Sequence, residues 1–167
     1  MLENNTFNAT WGKSLKVTTL LTCFLFPAIF SFGAYMSQNM RAEWKTAMVL
    51  LPFVTIAISA LFSIRNYRLQ ENQLIIQRLG WQTTIELGDL NSVEANPHAM
   101  SKSIRLFGNG GLFCFSGLFR NKLLGKYRAF ATSPRNSVVL RFPNRTIVVT
   151  PEDPESFVEM IDERKKS

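Results

Sequence analysis

The stretch Ser137-Val138-Val139-Leu140-Arg141-Phe142-Pro143-Asn144-Arg145-Thr146-Ile147-Val148-Val149-Thr150-Pro151-Glu152-Asp153-Pro154 decides the fold. Two β-branched runs flank Pro143-Asn144, which is the pattern of strand, tight turn, strand. A helix over about 152–165 follows. Thr150 or Asp153 can cap it, and the proline after either sits where a missing N–H costs nothing. Phe157, Val158, Met160 and Ile161 give that helix one apolar face, and Arg164, Lys165 and Lys166 suit the negative end of its dipole.

Upstream, the same short period continues. Tyr67-Arg68-Leu69-Gln70 and Leu74-Ile75-Ile76-Gln77-Arg78-Leu79 flank Glu71-Asn72-Gln73, a second hairpin. Thr83–Leu87 is another β-branched run, and Asn91–Ala95 a further short strand ended by Asn96-Pro97. Gly108, Gly110, Gly111, Gly117 and Gly125 then punctuate a section rich in Leu, Phe and Tyr, which reads as core strands with glycine bulges. Residues 65–167 therefore form an all-β barrel or sandwich of six or seven strands, closed by a C-terminal α-helix. About a hundred residues suffice for one core.

Upstream of residue 65 the period disappears. No charged residue occurs from Val17 to Met40, nor from Thr46 to Ile64. A bilayer core needs about 20 apolar residues as helix, so two transmembrane helices are expected, about 15–36 and 46–64, with a loop 37–45 and an N-terminal tail 1–14. The first run is long for a signal-peptide core and no small-residue cleavage site closes it cleanly. Lys13, Lys16, Arg65 and Arg68 flank the terminal side against Arg41 and Lys45 in the loop. That bias places both termini in the cytoplasm of a multi-pass protein. The whole is a membrane-anchored α + β chain. An aromatic share of 12% excludes a disordered chain.

The string Tyr67-x-Leu69, Leu74-Ile75-Ile76, Gly108-x-Gly110-Gly111-Leu112-Phe113, Gly117-x-Phe119, Leu124-Gly125-x-Tyr127 and Ala131-Thr132 resembles a bacterial pleckstrin-homology (PH)-like domain family. Val138–Arg141, Ile147-Val148-Val149-Thr150-Pro151-Glu152-x-Pro154 and Phe157 fit the same pattern, which covers roughly residues 65–162. The resemblance implies a PH-like barrel, often placed after a pair of membrane helices, and hence a bacterial inner membrane. Eukaryotic phosphoinositide-binding relatives carry a Lys-x(n)-Lys/Arg-x-Arg pattern across the first hairpin. This hairpin offers only Arg68 and Arg78 around the acidic turn at Glu71.

Catalytic chemistry is absent from the pattern. The single histidine, His98, has no nucleophile or acid at a working spacing. Cys23 and Cys114 give neither a disulfide framework nor a metal spacing, and Gly108-x-Gly110-Gly111 lacks the Lys and Ser/Thr of a phosphate loop. No cofactor, metal or nucleic-acid motif is present. Residues 95–151, in contrast, hold nine Lys and Arg and no acid. Arg120, Lys122, Lys126 and Arg128, with Phe113, Phe115 and Phe119 beneath or beside them, are the candidate surface for anionic lipid or a protein partner. The function expected is a non-enzymatic, membrane-tethered module that scaffolds or recruits a membrane-protein partner or a second copy. The alternative is direct binding of anionic membrane lipids.

Overall fold

Alternation of apolar and polar side chains builds the first sheet in the computed structural model, which describes residues 5–166. Strand β2 (Ile64–Gln70) turns at Glu71-Asn72 into β3 (Gln73–Arg78), and β4 (Gln82–Glu86) extends the meander. Tyr67, Leu69, Leu74, Ile76 and Ile85 point inward and are buried. The fourth strand is β1 (Thr6–Asn8), which pairs antiparallel with β2 through Thr6↔Arg68 and Asn8↔Asn66. The segment expected to be a tail thus contributes a strand. Phe7 fixes it by packing edge-on against Phe157 at 5.0 Å.

Between β1 and β2 the chain makes α1 (Lys13–Met36) and α2 (Ala42–Leu61). Both are long and apolar enough to cross a membrane and are almost wholly exposed. Pro27 and Pro52 sit inside them, buried, without ending either helix. The base of α1 is tied to the β domain. Thr19 Oγ1 donates to the carbonyl of Gly111 (3.4 Å) and accepts from the N–H of Phe113 (3.1 Å).

The second sheet runs β5 (Ser92–Ala95), β9 (Val138–Arg141), β10 (Thr146–Val149), β8 (Gly125–Ala131), β7 (Phe115–Asn121), β6 (Ile104–Gly110). It is mixed: β10 lies antiparallel to β9 but parallel to β8, because the chain crosses through a 3₁₀ turn at Pro134–Asn136 before β9. The two sheets share no ladder, so the expected barrel does not close. At one side β4 ends, the chain turns through Gly88-Asp89, and β5 joins β9 instead. At the other, β6 pairs only with β7 and is an edge among the described residues.

One glycine pair is dictated by close approach. Gly108 and Gly117 face each other across β6 and β7 with φ of +100° and +148°. A Cβ on Gly117 would stand 2.2 Å from the Phe107 carbonyl oxygen, and one on Gly108 2.3 Å from that of Ser116. Only glycine fits at both.

The main core fills the space between the sheets with Tyr67, Leu74, Ile76, Phe130, Val138, Leu140 and Val149. Helix α3 (Pro154–Lys166) closes it with Phe157 and Ile161. Asp153, not Thr150, caps that helix, accepting from the N–H (3.2 Å) and hydroxyl (2.6 Å) of Ser156. Thr150 is buried among three strands instead, its Oγ1 accepting from the N–H groups of Thr132 (2.8 Å) and Ser133 (3.3 Å). The Arg164 and Lys165 side chains reach out of α3 to donate to the carbonyls of Glu71 and Asn91, latching helix to sheet. A second cluster of Ala99, Phe119, Leu124, Tyr127, Ala129, Val139 and Val148 covers the outer face of the six-stranded sheet.

Candidate binding surface

Strand alternation sorts the expected surface residues. Arg120 lies directly opposite Lys126, and Leu118 opposite Arg128, so these three cations share one face of β7 and β8 with Phe130. Lys122 sits in the β7–β8 turn and is exposed. Phe119 lies on the opposite face, buried and stacked on Tyr127 at 6.0 Å, and Phe115 packs against that same outer cluster. Phe113 occupies the β6–β7 turn with φ +66° and meets Trp11 edge-on at 6.0 Å. The seven residues therefore fall in three places: three cations on the inner face, two rings on the outer face, and Lys122 and Phe113 in the turns at either end of β7.

Two features escape a reading by composition. The first is edge strand β6. Ile104 (70% exposed) and Phe107 (79% exposed) stand opposite Arg120 and Leu118, so the cations are flanked by uncovered apolar side chains. The second is Arg78. Leu74, Ile76 and Arg78 share the inward side of β3, so its guanidinium enters the open end of the sandwich. There it lies 6.0 Å from the Phe62 ring, 5.4 Å from Trp81 and 5.3 Å from Phe130, and its Nη2 donates to Ser116 Oγ (3.1 Å). Arg128 approaches the same Phe130 ring at 5.2 Å. Burial, reinforced by the charge on Arg128, pulls the Arg78 pKa below its ordinary value. The alternation Leu-x-Ile-x-Arg was the signal that could have found it.

Burial pushes the Cys114 thiol up to about 11, and it donates to the carbonyl of Phe62 (3.3 Å), which makes it a packing residue. His98 lines a shallow depression of about 420 Å³ with Pro97, Met100, Ser101, Pro134 and Arg135. No cluster of three metal-ligating side chains occurs among the described residues. The arrangement offers charge, apolar surface and a sheet edge, which are means of binding.

Comparison with known proteins agrees with this layout. No curated protein matches the chain. Residues 65–165, more than half of the chain, match the family described as the bacterial PH domain, a match that spans β2 to α3. The chain belongs to the bacterial PH domain family.

Proposed function

We propose that this chain is a non-enzymatic binding module, held at the cytoplasmic face of a bacterial inner membrane by α1 and α2, that recruits or scaffolds a membrane-protein partner. Membership of a PH domain family supports binding over catalysis. The exposure of Leu20, Phe24, Ile29, Phe32, Leu50 and Phe53 along the helices supports a bilayer around them, because such a surface is not stable in water. The observation that carries recruitment is the β6 edge. It leaves one row of backbone donors and acceptors outside the sheet ladder beside Ile104 and Phe107. An extended segment of a partner can add there as a further strand, with those side chains giving specificity.

Crosslinking in intact membranes, followed by gentle solubilisation and purification of the full chain, tests this. A partner crosslinked through residues introduced at Ile104 or Phe107 supports recruitment, and a second copy crosslinked there makes the scaffold homo-oligomeric. Recovery of a lone chain across several crosslinkers and detergents refutes it. The absence of any acid from residues 95–151 favours contact with anionic lipid as the second reading.

A further inference from the structure

An arginine on the core side of a strand needs a counter-charge, since a partly desolvated cation is costly unless paired. Arg78 has none. The one ion pair among the described residues is Arg141–Glu94, on the β5–β9 ladder. Arg78 Nε is buried without a hydrogen-bond partner, and Nη2 has only the neutral Ser116 hydroxyl. Arg128 shares the Phe130 ring with it, so two guanidinium groups lie near one ring, and no acidic side chain pairs with either among the described residues. Arg78 sits where α2 ends. Phe62 follows the last residue of α2, Trp81 packs edge-on against it at 4.5 Å, and the Gly80 N–H donates to the carbonyl of Leu61. Rings at the end of a spanning helix favour the headgroup layer.

We propose that Arg78, Arg128 and Ser116 form a binding site for a phosphate group, supplied by the headgroup of an anionic phospholipid. Guanidinium groups suit phosphate because their planar forks donate in pairs. The Ser116 hydroxyl, already accepting from Arg78, has its proton left to donate to a phosphate oxygen. The phosphate fills the place of the missing carboxylate and relieves the repulsion between the two cations. The site stands on this geometry, and only its lipid source rests on the membrane reading above. It lies at the opposite end of β3 from the Glu71-Asn72 turn, away from the hairpin tip.

The test uses the full chain in a neutral maltoside detergent, with thermal unfolding followed as phosphatidylglycerol, phosphatidylcholine or inorganic phosphate is added at matched ionic strength. Phosphatidylglycerol is expected to raise the midpoint by several degrees. Arg78→Gln and Arg128→Gln each lose most of that shift. Arg145→Gln, whose guanidinium lies over Phe142 at the β9–β10 turn, keeps it. Without lipid, Arg78→Gln unfolds at or above the parent temperature, because an unpaired cation has gone, so loss of the shift is not loss of fold. An unchanged shift in both variants overturns the site, as does an equal response of the parent to phosphatidylglycerol and phosphatidylcholine. A shift with inorganic phosphate alone keeps the site and overturns its lipid source. Alkaline carbonate extraction of the parent reads membrane insertion separately, so failure of that reading is not confused with failure of the site.

Discussion

Replacing Tyr67 with Phe removes one oxygen from the centre of the sandwich, and the structure fixes what that costs. The Tyr67 hydroxyl donates to the Phe130 carbonyl at 2.7 Å and accepts from the Thr150 N–H at 3.3 Å, with its ring fully buried. Losing the short bond costs about 1 kcal/mol, and leaving the Thr150 N–H unsatisfied adds about 1–2 kcal/mol. Tyr67→Phe is therefore expected to destabilise by about 2–3 kcal/mol at pH 8, read by denaturant unfolding of the full chain in detergent. Alkali supplies a second, independent reading. Burial raises the Tyr67 pKa to about 12 from its ordinary 10. Between those values the unfolded chain has lost the phenolic proton and the folded chain has kept it. Stability contributed by this group is complete below pH 10 and falls as pH rises towards 12, by about 1.4 kcal/mol per pH unit. The variant has no such proton. The gap between parent and variant should thus shrink by about 2–3 kcal/mol from pH 9 to 12. A variant as stable as the parent at pH 8, or a gap constant with pH, refutes the assignment of Tyr67 as the hydrogen-bonded link between the sheets.

Gly117→Ala should force β6 away from β7, since the new Cβ would meet the Phe107 carbonyl at 2.2 Å. A loss of about 2–4 kcal/mol follows from overpacking plus left-handed strain, with faster amide exchange confined to β6 and β7 as the measurement. Phe7→Ala should cost about 2 kcal/mol, from a half-buried ring packed on Phe157, and should raise amide exchange along β2. Ile104→Asp with Phe107→Asp should leave the unfolding midpoint within a degree or two of the parent, both side chains being exposed. The same pair should abolish recovery of a crosslinked partner, and retained recovery would remove the β6 edge from the interface.

Legibility in the sequence tracked how local each signal is. The hairpin of β9 and β10 and that of β2 and β3 were readable because their runs of Val, Ile and Leu flank short polar turns. The apolar helices were readable from length alone. Strand β1 was not, because Thr6-Phe7-Asn8 is too short to show a period and gains its partner from a strand 60 residues away. Nor was the parallel pairing of β8 with β10, which depends on which edge a returning chain meets. Cap choice followed the same rule. Thr150 and Asp153 are equivalent as sequence, and burial of Thr150 under Tyr67 separates them. In the candidate surface, charge was legible and orientation only partly so. Alternation puts Arg120, Lys126 and Arg128 together and Phe119 behind them, a distinction that a list of cations and aromatics does not make. The charge of Arg78 is legible, but its inward placement shows only when Leu74, Ile76 and Arg78 are set on one face of β3.

The pairing of β1 with β2 makes the two helices an insertion within a β-hairpin, and this constrains topology in its own right. Asn8 and Asn66 are ladder partners, and the Ala9 N–H donates to the Arg65 carbonyl at 2.9 Å. Whatever lies between them must leave and return on the same side, so an odd number of membrane crossings is excluded by backbone hydrogen bonds, without any appeal to loop charges. The sheet is also held at two neighbouring points, one on each helix, and a two-point mount does not swivel as a single flexible tether does. Cutting the chain at residue 65 to isolate the β domain removes strand β1 as well as the two apolar helices. Transplanting the domain onto another pair of helices would have to carry residues 5–10 with it.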